Sequence, residues 1–312
     1  SGSPESLYRA YGADRVCVYM SVRAFTRIAA GGGGLLAAGF VDRALTPQTR
    51  PLSTAAAAAG TLGHIRLYQY QICPFCNKIK ALLDLHGLEY ETVDVNPLTK
   101  KEIKPWSEYR KVPIAVLTPP AGGEPEQIND SPVIAERLLD AIDAAALRPA
   151  RAAKAFRSPQ AMEWAQWSDA KLAVLLFPNI TRSFGEAYQA FGYVQDVPHF
   201  STADRLSNQV VGALAMWMAQ GKIKKKYAID DERQALRGAI DTWVGEGLAG
   251  RAFAGGDAPH YGDVCVYGCL RAIDRTAAHA EILDDAPELA RWYGRMEEAV
   301  GPSKGSYPLE GP

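Results

Sequence analysis

Apolar and polar residues alternate from His64 to Tyr70 (HIRLYQY), a period-of-two pattern that predicts a strand. Cys73 and Pro74 follow, and Ile79, Leu82, Leu83 and Leu85 then share one helical face, which Gly87 ends. Further strands are predicted at Tyr90–Val95, Pro113–Leu117 and Pro125–Ile128, with a short helix in the Pro97–Trp106 region. Ser131-Pro132 opens a helix carrying Ile134, Leu138, Leu139 and Ile142. From residue 159 onward the periodicity is helical throughout. Met162–Phe177 is amphipathic and meets Pro178, and Ser201-Thr202-Ala203-Asp204 reads as a capping box before a helix that stops at Gly221. Leu236, Ile240, Trp243 and Val244 form another face, and Asp285-Ala286-Pro287-Glu288 caps a last helix bearing Leu289, Trp292, Tyr293 and Met296.

The first half has the order βαβαββα, which is that of an α/β thioredoxin-like domain, over 61–147. A linker at 148–158 leads to an all-α domain over 159–301 and a tail at 302–312. A thioredoxin-like domain followed by an all-helical one is the glutathione transferase architecture. Residues 1–60 differ in composition, being rich in Ala, Gly, Ser and Arg, like a transit peptide. The uncharged run from Ile28 to Val41 is short and glycine-rich for a membrane span, so a linker or an interfacial contact is expected there, with a membrane anchor as the alternative.

Composition narrows the function. A formal net charge of -1 over 312 residues gives nucleic acid nothing to bind. An odd number of cysteines, five, at irregular spacing makes no disulfide framework and fits a reducing intracellular compartment, with plastid and mitochondrion both open. The five histidines have no metal-ligand spacing, so no metal site is expected. Cys265 and Cys269 read as buried small residues, the tryptophans at 164, 167, 217, 243 and 292 as core or cleft wall, and Lys222 with Lys224–Lys226 as a solvated loop.

The chemistry centres on Cys73-Pro74-Phe75-Cys76. A thiolate reacts and a thiol does not, and a cysteine just before a helix meets unpaired N–H groups and the positive end of the dipole. Cys76, one turn in, is placed to resolve a mixed disulfide on Cys73, and Lys78 and Lys80 add positive charge nearby. Zinc would need a second such pair. Val112-Pro113 precedes a strand, where a cis bond would turn the Val112 backbone toward the cysteine. Asp130-Ser131 starts a helix whose N–H groups and hydroxyl suit a carboxylate, with Asp130 for an ammonium. Glutathione offers both groups.

The run LYQYQICPFCNKIKALLDLHGLEYETVDVNPLTKKEIKPWSEYRKVPI, then NDSPVI, WAQWSDAKLAVLLFPNITR, YGDVCVYGCLRAID and RWYGRMEEAV, resembles the microsomal prostaglandin E synthase type 2 family over residues 65–300. The resemblance implies glutathione bound by Cys73, Val112, Pro113, Asp130 and Ser131, with Tyr70 and Phe75 bordering a cavity for a small apolar substrate. It also implies isomerisation of prostaglandin H2 to E2, and haem bound with the glutathione thiolate as its axial ligand. Two departures stand out: Pro132 follows Asp-Ser where a small residue is usual, and His260 takes a cap position where transferases carry Ser, Thr or Asn. Three functions remain open: a glutathione-dependent isomerase or transferase, a glutaredoxin-like thiol–disulfide oxidoreductase, and a non-catalytic subunit docked on a membrane surface or membrane complex through residues 1–60. A homodimer is a further expected association.

Overall fold

Strand β1 (His64–Gln69) lies at the centre of a five-stranded sheet, because its alternate residues must be covered on both faces. Its neighbours are β2 (Tyr90–Asp94), parallel to it, and β3 (Ile114–Thr118), antiparallel, with β4 (Glu126–Asn129) antiparallel outside β3. Helix α1 (Pro74–Leu85) makes the crossover between β1 and β2, and α2 (Ser131–Ala144) follows β4. The computed structural model describes residues 63–120, 122–144 and 150–308, so the expectations for residues 1–60, including Ile28–Val41, lie outside the described residues.

The second half is helical: α3 (Ala150–Phe156), α4 (Pro159–Trp167), α5 (Ala173–Ile180), α6 (Phe184–Ala190), α7 (Thr202–Ser207), α8 (Ala213–Lys226), α9 (Glu232–Thr242), α10 (Tyr261–Arg271), α11 (Ala277–Asp285) and α12 (Pro287–Val300). Helix α3 lies inside the stretch expected as a linker. Wider turns at Ser168–Leu172 and Asn208–Gly212 join α4 to α5 and α7 to α8 without a break. No helix among the described residues is long and apolar enough to cross a membrane.

Several elements differ from expectation, each for a local reason. The Pro97–Trp106 region is a series of turns rather than a helix. There the Asn96 side-chain oxygen Oδ1 accepts from the N–H groups of Leu98 and Thr99, both at 3.0 Å, and Lys100 at φ 54° breaks the run. Pro178 lies within α5 instead of ending the preceding run, with nearby carbonyls taken by side chains: Asn179 Nδ2 reaches Leu175 O at 2.8 Å and Thr181 Oγ1 reaches Phe177 O at 2.9 Å. Helix α8 runs through Gly221 to Lys226, capped by Tyr227, and the chain turns away at Ala228, φ 51°. The lysines 224–226 therefore form a last helical turn, where cations suit the dipole, and not a loop. Trp217 on this helix is 40% exposed, unlike the buried Trp243 and Trp292.

Helix α12 begins at Ala286 with no side-chain cap, since Asp285 is engaged by Arg237 Nη2 at 2.6 Å. The tail contributes a fifth strand, β5 (Gly305–Ser306), parallel to β2. His260 caps α10 fully: its Nδ1 accepts from Asp263 N at 3.2 Å, and Asp263 Oδ2 accepts from His260 N at 3.0 Å.

The two halves share one apolar core. Helix α10 crosses α1 at Gly268, where a Cβ would stand 2.6 Å from the Lys78 Cα, so only glycine permits this approach. At the same crossing the Lys78 ammonium is buried against the Asp169 carboxylate. Trp164, Trp243 and Trp292 make successive edge-to-face contacts at centroid distances of 5.1 Å within this core.

Candidate functional site

The sheet register brings the expected site residues to one end of the molecule. Tyr68 pairs with Ile114, and Ile114 with Asn129. The segments leaving that end are therefore Tyr70–Cys73 after β1, Val112-Pro113 before β3, and Asp130-Ser131 after β4. The Val112-Pro113 bond is cis. Asp130 sits at φ 75°, a left-handed turn that swings the chain into α2. The Ser131 hydroxyl is buried and has no hydrogen-bond partner among the described residues. A buried hydroxyl at a helix start, left without a partner, costs about 1–3 kcal/mol, which a ligand oxygen would recover.

Cys73 is the residue before the first turn of α1, in extended conformation, with Pro74 at the first helical position and no acid in the first turn. Its N–H donates to Tyr70 O at 3.1 Å, and its carbonyl accepts from Asn77 N at 3.0 Å, which fixes the loop against the helix. Its sulfur thus lies at the positive end of the helix. Cys73 is 7% exposed and Cys76 fully buried a turn behind it. Neither forms a disulfide.

Cys73 opens onto an apolar cavity between the two halves. Tyr70 and Phe75 line it from the thioredoxin-like half, and Phe177, Phe191, Tyr193 and Met216 from the helical half. The last four were not singled out in the sequence. Phe191 and Tyr193 belong to a short 3-10 segment, Phe191–Asp196, which carries no helical or strand period to betray it. None of the tryptophans lines this cavity.

The two lysines expected to serve Cys73 do other work. Lys78 is inside the domain contact: burial pulls its ammonium down, but Asp169, with Cys265 and Cys269 behind it, more than offsets this and raises it. Lys80 is lowered, first by burial and then by Arg271, although Asp94 and Cys76 oppose the change. The positive character at Cys73 therefore comes from the helix end. Among the described residues no cluster of metal-ligating groups occurs.

Cys265 and Cys269 are fully buried on α10. Burial, opposed by Lys78, pushes the Cys265 thiol up from an ordinary 9.0 to about 11, and pushes Cys269 up as well. A raised thiol contributes stability that is complete below its unfolded value and is lost as pH rises through the folded value. Thermal midpoints are accordingly expected to fall by several degrees between pH 9 and about 11. In Cys265→Ala the fall over that window is smaller.

Comparison with known proteins agrees with this architecture. Residues 67–145 match the model of the glutathione S-transferase N-terminal domain, and residues 226–295 that of the C-terminal domain. A solved beta-etherase from Sphingobium sp. strain SYK-6 superposes with a TM-score of 0.49 at 19% identity, covering 76% of this chain and 96% of that one. Prostaglandin E synthase 2 of Danio rerio is 31% identical over 274 residues, spanning 76% of this chain and 71% of the relative. The Mus musculus protein of the same name is 32% identical over 277 residues, spanning 76% and 70%. With a glutathione-transferase-type fold and relatives at this identity over most of both chains, the protein belongs to the prostaglandin E synthase 2 family.

Proposed function

We propose that the chain is a glutathione-dependent isomerase or transferase whose thiol chemistry takes place at Cys73. The observation that carries this reading is a cysteine at a helix N-terminus facing an apolar cavity walled by both halves of the molecule. Glutathione fits beside it in chemical terms. The Ser131 hydroxyl and the α2 N–H groups would hold the γ-glutamyl carboxylate, Asp130 the ammonium, and the Val112 backbone next to Pro113 the peptide. An apolar substrate would occupy the cavity between Tyr70, Phe75 and Tyr193. The relatives' name points to a prostaglandin as such a substrate.

Haem, the other group the family resemblance implies, finds no histidine among the residues lining the cavity. When bound there, haem would take a thiolate donor from glutathione, and Tyr70, Phe75, Phe191 and Tyr193 would hold its ring.

Cys76 favours a second reading, that of a thiol–disulfide oxidoreductase. The Cys73 thiolate would attack a glutathione mixed disulfide, forming a Cys73–glutathione disulfide and releasing the other thiolate, which takes up a proton. Cys76 would then lose its proton, attack the Cys73 sulfur and expel glutathione, leaving a Cys73–Cys76 disulfide for a further thiol to reduce.

Calorimetric titration of glutathione tests the shared premise. Ser131→Ala and Asp130→Ala are each expected to weaken binding about tenfold, the cost of one hydrogen bond to a charged group. Unchanged affinity in both variants would remove glutathione from this site.

A further inference from the structure

We infer that Tyr307, in the segment after the last helix, is a positioning residue for the Cys73 loop. This rests on the thiol reading of Cys73 and deepens it. Beyond α12 the chain returns to the sheet, and β5 pairs with β2 through Tyr90 opposite Gly305 and Glu91 opposite Ser306. Asp84 anchors the return by accepting from Lys304 N at 2.8 Å. The next residue after the strand is Tyr307. Its hydroxyl donates to Asp94 Oδ2 at 2.9 Å and accepts from Gln71 Nε2 at 3.0 Å.

Gln71 lies two residues before Cys73, and its carbonyl accepts from Asn77 Nδ2 at 2.6 Å. The same Asn77 amide donates to the Cys73 carbonyl at 3.0 Å. Hydrogen bonds thus tie the Tyr307 phenol to the Gln71 side chain and the Gln71 backbone, through Asn77, to the Cys73 peptide, with Gln71 itself as the covalent link between them.

Its fixed point is buried Asp94, which Gln69 Nε2 at 3.4 Å and Gln71 Nε2 at 3.3 Å also approach. His199 donates to the Asp94 carbonyl at 2.8 Å, and Lys80, Tyr193 and Cys76 are the other titratable groups around this point. Burial holds the Asp94 carboxyl above its ordinary range, with Gln71 and Tyr307 opposing that rise. A carboxyl so placed has few donors to spare. Removing the phenol would leave the Gln71 side chain held only by its longer contact to Asp94, and would loosen the loop that aims Cys73.

The test is the rate of Cys73 alkylation by iodoacetamide as a function of pH, followed by mass spectrometry on the full chain. Tyr307→Phe is expected to slow Cys73 about fivefold at neutral pH, the worth of one buried hydrogen bond, and to displace the pH profile. Gln71→Met breaks the same run from its other side and is expected to do likewise, so the test survives if Tyr307→Phe does not fold. Ser303→Ala, which disturbs the returning segment but not the run, is expected to keep the parent profile. Profiles of Tyr307→Phe and Gln71→Met that superimpose on the parent would overturn the inference while leaving the thiol reading intact. A Cys73 that does not react even in the parent would sink both.

Discussion

Replacing Cys73 by serine is expected to reduce glutathione-dependent turnover by about a hundredfold or more, whereas Cys76→Ser keeps part of it. The asymmetry follows from position. Cys73 is the cap residue at the N-terminus of α1 and lines the cavity, whereas Cys76 is fully buried one turn inside. A serine hydroxyl has almost the same size but does not ionise near neutral pH, so the substitution removes the nucleophile and keeps the packing. Steady-state assays with glutathione and an electrophile, and with a glutathione mixed disulfide, separate the roles. Retention of the first activity alone in Cys76→Ser selects the isomerase or transferase. Equal loss of both in the two variants points to a strictly dithiol enzyme.

Asp263→Ala is expected to destabilise the protein by about 3–5 kcal/mol, lowering the thermal midpoint by roughly 10 °C. Its carboxylate is fully buried and accepts four hydrogen bonds: Ala254 N at 2.8 Å, Gly255 N at 3.1 Å, His260 N at 3.0 Å and Trp292 Nε1 at 3.0 Å. Truncation leaves all four donors unmatched, three of them on the buried residues Ala254, His260 and Trp292, at the start of the helix that joins the two halves. Asp263→Asn keeps one acceptor oxygen and should lose less. Denaturant unfolding of the two variants gives the order directly, and a loss below about 1 kcal/mol in Asp263→Ala would contradict this account.

Both halves of the fold were legible in the sequence because their signals are local. The strand at His64 alternates, Pro74 opens a helix, and Ser131-Pro132 opens another. Errors fell where a distant or side-chain contact decided the outcome. Pro178 and Gly221 punctuate helices in most settings, but here side-chain hydrogen bonds carry the backbone past the first and the chain continues helically through the second. β5 is two residues long and forms only because β2 offers an edge. Of the site, Cys73 and its neighbours announce themselves by spacing. The far wall of the cavity does not: Phe177, Phe191, Tyr193 and Met216 come from three separate segments that meet only in the folded chain. Lys78 misled for the same reason, since proximity in sequence to Cys73 says nothing of the Asp169 carboxylate that claims it.

The approach of α10 to α1 at Gly268 bears on how the protein could be divided. Helix α1 is buried on nearly every side, with Cys76, Lys78, Ile79, Leu82, Leu83 and Asp84 all inside. An ordinary redox domain presents the outer face of this helix to water. In this protein that face is roofed by the helical half. Cut free at residue 144, the thioredoxin-like half would expose an apolar helix surface and a stranded lysine, and would lose the strand that covers the edge of β2. The thioredoxin-like half is thus not a detachable part: the chain has to be selected, engineered and degraded as one unit.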